Sequence, residues 1–202
     1  MDLIQAVVVS EIKDSMDLLQ RRVGGILKGI AVTGVCHFEQ VDRVTAPLLI
    51  CYAFGEHYYE LKEKFQTRGR RVIGAELTLL PAGVRNLRLV PASVTLGVVA
   101  QHRRCANYFL SDIVRSGVME HRFIIGTFDE MKDMPVDKFV VPEEMIAAVD
   151  RKGVSGEIIT VPRTVSAFSA AEIINTALEV AMVKYRRKLA ATPPGGITTA
   201  GA

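Results

Sequence analysis

His102-Arg103-Arg104 are the residues of this sequence best suited to hold an anion. A guanidinium offers a carboxylate or phosphate two parallel N–H donors, a geometry that lysine does not reproduce. The same three side chains also fit a solvated turn, with the arginines paired to Asp112 or Glu120. Three further polar groups follow apolar runs: Tyr52, Gly55, Glu56 and His57; Thr127 with Asp129; and Ser10 with Glu11. Tyrosine in such a place also fits the edge of a core. The candidate ligand-binding residues are therefore Ser10, Tyr52, Gly55, His57, His102, Arg103, Arg104, Thr127 and Asp129. No catalytic or metal-ligating residue is assigned.

Other chemistries leave little trace. The sequence has no GxSxG elbow, no GxxxxGK[ST] phosphate loop, no HExxH and no GxGxxG. His37, His57, His102 and His121 are too scattered to define a metal site, and no cofactor is expected. Cys36, Cys51 and Cys105 form neither a CxxC nor a Cys/His pattern, and read as reduced, mostly buried thiols. One enzymatic alternative is a thiol-dependent racemase or decarboxylase with Cys36 and Cys105 facing each other across a cleft. Neither cysteine has the small, hydroxyl-rich neighbours that activate a thiolate, so a binding role is the main expectation.

The polar groups have to be positioned by what surrounds them. Val94, Leu96, Val98 and Val99 read as a strand buried on both faces, and Ala106, Phe109, Leu110, Ile113 and Val114 recur at helical spacing up to Gly117. In an open α/β sheet, ligands bind at the carboxyl ends of strands, where the N–H groups that open the next helix attract anions. The order strand, polar turn, helix recurs at Leu3–Val9 and Pro47–Tyr52. The first helix is expected to carry Ile12, Met16, Leu19 and Val23 and to break at Gly24-Gly25. Val72–Leu80, Arg122–Phe128, Lys138–Val141 and Glu157–Val161 read as further strands, the last of these closing the set. Pro142 reads as the first residue of a helix that ends at Gly153. The closing helix is predicted from Ala170 to about Leu189. Ser169 with Glu172 would form its capping box, Phe168 would staple onto Ile173, and Ile173, Ile174, Ala177, Leu178, Ala181 and Met182 would form one face.

Such alternation predicts an α/β fold with mostly parallel sheets and right-handed crossovers. Segments 75–81 and 161–169 read as crossings between two lobes. The lobes would be residues 1–80 with 166–190, and 81–165, leaving 191–202 as a disordered tail.

With 25 basic and 22 acidic residues the net charge is +3, which gives no electrostatic case for nucleic acid. The basic run Lys184-Tyr185-Arg186-Arg187-Lys188 suits a helix C-terminus. No positively charged leader precedes an apolar run, and no apolar run approaches the roughly 20 residues of a membrane span. A cytosolic protein without membrane contact is expected.

The succession ELTLLP, LVPAS, VTLGVVAQHRRCANYFLSDIVRSG, KFVVPEEM and VPRTVSAFSAAEI resembles the effector-sensing domain of gluconate-repressor (GntR) type one-component transcription regulators, over roughly residues 45 to 180. The sensors of those regulators are themselves similar to periplasmic binding proteins. The resemblance implies a two-lobed fold with a ligand between the lobes, and the cationic turn makes a small anionic metabolite the expected ligand. It also implies a homodimer, and DNA contact only through a separate module that this sequence does not display.

Overall fold

A computed structural model describes residues 3–53, 56–150 and 156–191. Two four-stranded parallel sheets carry the fold. The first holds β1 (Ile4–Ser10), β2 (Ala31–His37), β3 (Leu48–Tyr52) and β4 (Arg71–Ala75) in the order β2-β1-β3-β4. Two further strands, β5 (Leu77–Leu79) and β10 (Arg163–Val165), pair antiparallel outside both sheets. The second sheet holds β6 (Thr95–Ala100), β7 (Arg122–Thr127), β8 (Lys138–Pro142) and β9 (Glu157–Val161) in the order β7-β6-β8-β9. The two sheets thus repeat one topology, and the expected α/β class with mostly parallel sheets in two lobes is what the structure has.

Among the described residues six α-helices cover these sheets: α1 (Lys13–Ile26), α2 (Glu56–Gln66), α3 (Pro81–Arg88), α4 (Arg103–Arg115), α5 (Ile146–Asp150) and α6 (Ala167–Ala191). Because helices lie on both faces, the central strands β3 and β6 carry apolar runs: Leu48, Leu49 and Ile50 of β3 and Val98, Val99 and Ala100 of β6 are all fully buried. Leu19, Val23, Ile173 and Ala177 from α1 and α6 fill one side of the first sheet, while Leu61 and Phe65 from α2 fill the other. Phe109 and Ile113 of α4 do the same work on the second sheet, together with Leu87 of α3.

The β5–β10 ribbon carries the chain between the sheets, through the segments read as crossings. Its ends are closed by Leu80 N–H donating to Pro162 O at 2.9 Å and Ser166 N–H donating to Glu76 O at 2.8 Å.

Several local expectations are corrected. Gly24 and Gly25 lie inside α1, where Leu27 and its neighbours continue to bury an apolar face past the pair. The predicted strand 72–80 is two strands that part at Glu76. Pro142 ends β8, and a 3₁₀ turn at Glu143–Met145 precedes α5. The expected stop at Gly153 lies outside the described residues, as does most of the expected tail. Glu157–Val161 is followed by one more strand, β10.

The capping box also fails. Helix α6 starts three residues early, Ser166 Oγ accepts the Ser169 N–H at 3.2 Å, and Ser169 Oγ instead accepts from Glu76 N–H at 3.0 Å. Phe168 is 75% exposed, so it makes no staple.

Candidate functional site

Each sheet reverses its strand order between its two central strands, β1 and β3 in one and β6 and β8 in the other. Connections leave in opposite directions at such a point and open a crevice at the carboxyl ends of the strands. The two crevices face each other and merge into one cleft of about 280 Å³. That is near the small end of ligand pockets, roughly 300 Å³ and upward.

From the first sheet the cleft is lined by Ser10, Glu11, Ile12 and Ser15 after β1, by Cys51, Tyr52, His57 and Tyr58 around the end of β3, and by Phe38. From the second come His102, Arg104, Cys105 and Tyr108 after β6, and Pro142 with Met145 after β8. Arg163 of the ribbon forms part of the wall.

The first turn after β1 is held by Ser10, whose Oγ accepts the Ile12 N–H at 3.1 Å. Across from it, the His57 ring stacks on Phe38 with centroids 3.7 Å apart. Its Nε2 contacts the Glu11 carboxylate and its Nδ1 lies 3.3 Å from Glu60. Gly74 of β4 permits this arrangement. A Cβ there would meet the Ala53 Cα at 2.9 Å and the Tyr58 ring at 3.1 Å. In the other lobe α4 opens at the cleft with His102 as its N-cap, and no side-chain hydrogen bond caps its first turn. Arg104 donates from Nε to the Tyr108 hydroxyl at 3.1 Å and lies over that ring.

Beneath the cleft runs a buried polar network that the sequence reading missed. Asp112 of α4 and Arg163 of β10 are 1% and 5% exposed. Arg163 Nη1 donates to Asp112 Oδ2 at 3.0 Å, and its Nη2 donates to Glu144. Arg115 also donates to Asp112. The Tyr52 hydroxyl crosses from the first lobe and donates to Asp112 Oδ1 at 3.2 Å. Arg163 Nε and Glu144 Oε2 are buried without hydrogen-bond partners among the described residues. Burial works against the Arg163 charge, but Glu144 and Asp112 together hold its pKa above the ordinary value. Burial pushes the Asp112 carboxyl up, with Arg163 and Arg115 pulling it back. Tyr52 is raised by burial and then by the Asp112 charge.

Of the residues predicted from sequence, Ser10, Tyr52, His57, His102 and Arg104 come together in the cleft. Arg103 does not: it is an exposed partner of Glu130 at 2.6 Å, in place of the Asp112 or Glu120 pairing considered above. Thr127 ends β7, an edge strand away from the reversal point, and Asp129 follows it; neither lines the cleft. Gly55 lies outside the described residues.

The thiols are not arranged for catalysis. Cys105 lines the cleft but Cys36 does not, so the two do not face each other there. Burial raises the pKa of both, and pushes that of Cys51 up to about 12. Among the described residues no three His, Cys, Asp or Glu side chains converge to hold a metal, and no helix is long and apolar enough to cross a membrane.

No protein-family model matches the sequence, and no curated protein matches it. Among solved structures, the chain is similar to a periplasmic solute-binding protein of an ABC transporter from Actinobacillus succinogenes, solved with D-allose bound. The match has 6% identity and a TM-score of 0.45, and covers 79% of this chain and 77% of the other.

Proposed function

We propose that the interlobe cleft binds a small anionic metabolite, a carboxylate or phosphate, and that the chain is the cytosolic sensor domain of a transcription regulator. In this reading the lobes are 1–80 with 166–190, and 81–165. The domain works as a homodimer, and DNA is contacted only through a separate module.

One observation carries the binding reading: a single cleft at the reversal points of both sheets, lined from both lobes, into which α4 opens with uncapped N–H groups beside Arg104. Helix starts and guanidinium groups both favour negative charge. Glu11 disfavours anions on the opposite wall, so the anionic end of the ligand belongs on the α4 side and its neutral part against Phe38, Tyr58 and Met145. A ligand that touches both lobes stabilises the closed arrangement relative to any open one, and that difference is what a sensor transmits.

The thiol-enzyme alternative gains no support from three cysteines whose pKa values are all raised. A thermal-shift panel of small carboxylates and phosphates tests the proposal. A rise in melting temperature with at least one anion, reduced in Arg104→Gln, is the expected result. No rise with any member at millimolar concentration contradicts it.

A further inference from the structure

Helix α6 is longer than its support. Its buried face is Ile173, Ala177 and Ala181, and every described residue from Met182 to Ala190 is exposed. Lys184 Nζ donates to Leu3 O at the start of β1, so this part of the helix lies at the opposite end of the lobe from the cleft.

The exposed segment is not polar all round. Leu178, Met182, Tyr185 and Leu189 are 40%, 55%, 53% and 57% exposed. Their spacing of four, three and four residues is that of a coiled-coil seam. At about 100° per residue the stripe lies roughly 110° around the helix from its buried face, so it is a second apolar face and not an extension of the first.

We infer that this stripe pairs with the same stripe of a second copy, the two α6 helices running antiparallel. Charge selects both partner and direction. Glu179 and Arg186 flank the stripe on one side, seven residues apart. In an antiparallel pair the residues flanking that side meet their own counterparts, which sets Glu179 of each copy against Arg186 of the other. Leu178 then lies opposite Leu189 of the second copy, and Met182 opposite Tyr185. A parallel pair would set Arg186 against Ala181 of the other copy and lose the contact between Glu179 and Arg186. Within its own chain Glu179 is only 3.7 Å from Arg71, an exposed pair that leaves it able to accept a second cation. The inference gives a surface to the homodimer proposed above and is independent of what the cleft binds.

Sedimentation velocity of the full chain across a micromolar concentration series tests it. The expected mass approaches twice 22.1 kDa. Met182→Lys with Tyr185→Lys returns the mass to that of a monomer with unchanged circular dichroism, because both positions are exposed in the single chain. Glu179→Arg weakens association about tenfold (~1.4 kcal/mol), and Glu179→Arg with Arg186→Glu restores it. A monomer at all concentrations overturns the inference and the homodimer together. A dimer indifferent to Met182→Lys with Tyr185→Lys overturns this surface and leaves the homodimer standing. A chain that stays monomeric in solution but binds phosphatidylglycerol vesicles through the same residues assigns the stripe to a membrane surface and overturns the pairing.

Discussion

Arg103 and Arg104 are adjacent in sequence but serve different surroundings, because neighbours on a helix point about 100° apart. The first pairs with Glu130 on the surface and the second faces the cleft. Arg104→Gln is therefore expected to weaken anion binding by about 1.5–3 kcal/mol, the scale of a charge-assisted hydrogen bond, in calorimetry. Arg103→Ala is expected to leave affinity unchanged and to shift stability by no more than about 0.5 kcal/mol. The cysteines give a second test. The folded pKa of Cys51, about 12, lies above its ordinary 9.0 and favours the neutral thiol. Its contribution to stability is thus present below pH 9 and is lost as pH rises toward 12. At pH 8 its thiolate population is reduced about a thousandfold by that shift, and iodoacetamide labelling is expected only on unfolding. Fast native labelling of Cys51 would contradict this environment. The cationic turn was legible because residue type alone suggested it, whereas the direction of each arginine depends on where α4 begins. Asp112 and Arg163 did leave a signal. Asp112 sits three residues from Phe109 on the buried face of α4, and Arg163 shares the inward phase of Val161 and Val165. A charge at an apolar phase marks a buried pair, but neither position reveals its partner in the sequence.

At the scale of elements, β10 matters because it places Arg163 under the cleft and α4 supplies the carboxylate that holds it. Removing one member of a buried charge pair leaves the other uncompensated. Asp112→Ala is therefore expected to cost about 3–5 kcal/mol in urea denaturation. Tyr52→Phe removes one hydrogen bond across the lobes and should cost about 1 kcal/mol. Equal costs for the two would mean that Arg163 is not the principal partner of Asp112. Gly74→Ala is expected to destabilise the first lobe by about 1–3 kcal/mol, since the added methyl meets the Ala53 backbone. The central strands of both sheets were legible from their apolar runs, since doubly covered strands need no alternation. Element ends were harder. Ser169 and Glu172 have the spacing of a capping box, but Ser169 is taken by the Glu76 N–H across the ribbon, and the helix begins at Ala167, with Ser166 accepting the Ser169 N–H in its place. A tertiary hydrogen bond outweighed a local one there. Likewise Leu178 and Met182 were read into one face with Ile173, Ala177 and Ala181, yet they lie roughly 110° around α6 from those buried residues and stay exposed.

At the scale of the whole molecule, two sheets with the same strand order set their reversal points against each other, and the cleft follows from that topology. Residues around the ends of β1, β3, β6 and β8 meet there, joined by Phe38 after β2, while Thr127 and Asp129 at the end of the edge strand β7 fall outside. Sequence alone kept Thr127 and Asp129 among the candidates because strand order is set by long-range pairing that local pattern does not encode. Calorimetric titration of the first anion identified by thermal shift, into wild type, Arg103→Ala and Arg104→Gln, tests the central claim most directly. Saturable binding by wild type and Arg103→Ala with equal affinity is expected, with a loss of about tenfold or more in Arg104→Gln. Equal affinity in all three proteins would contradict it and place the ligand elsewhere.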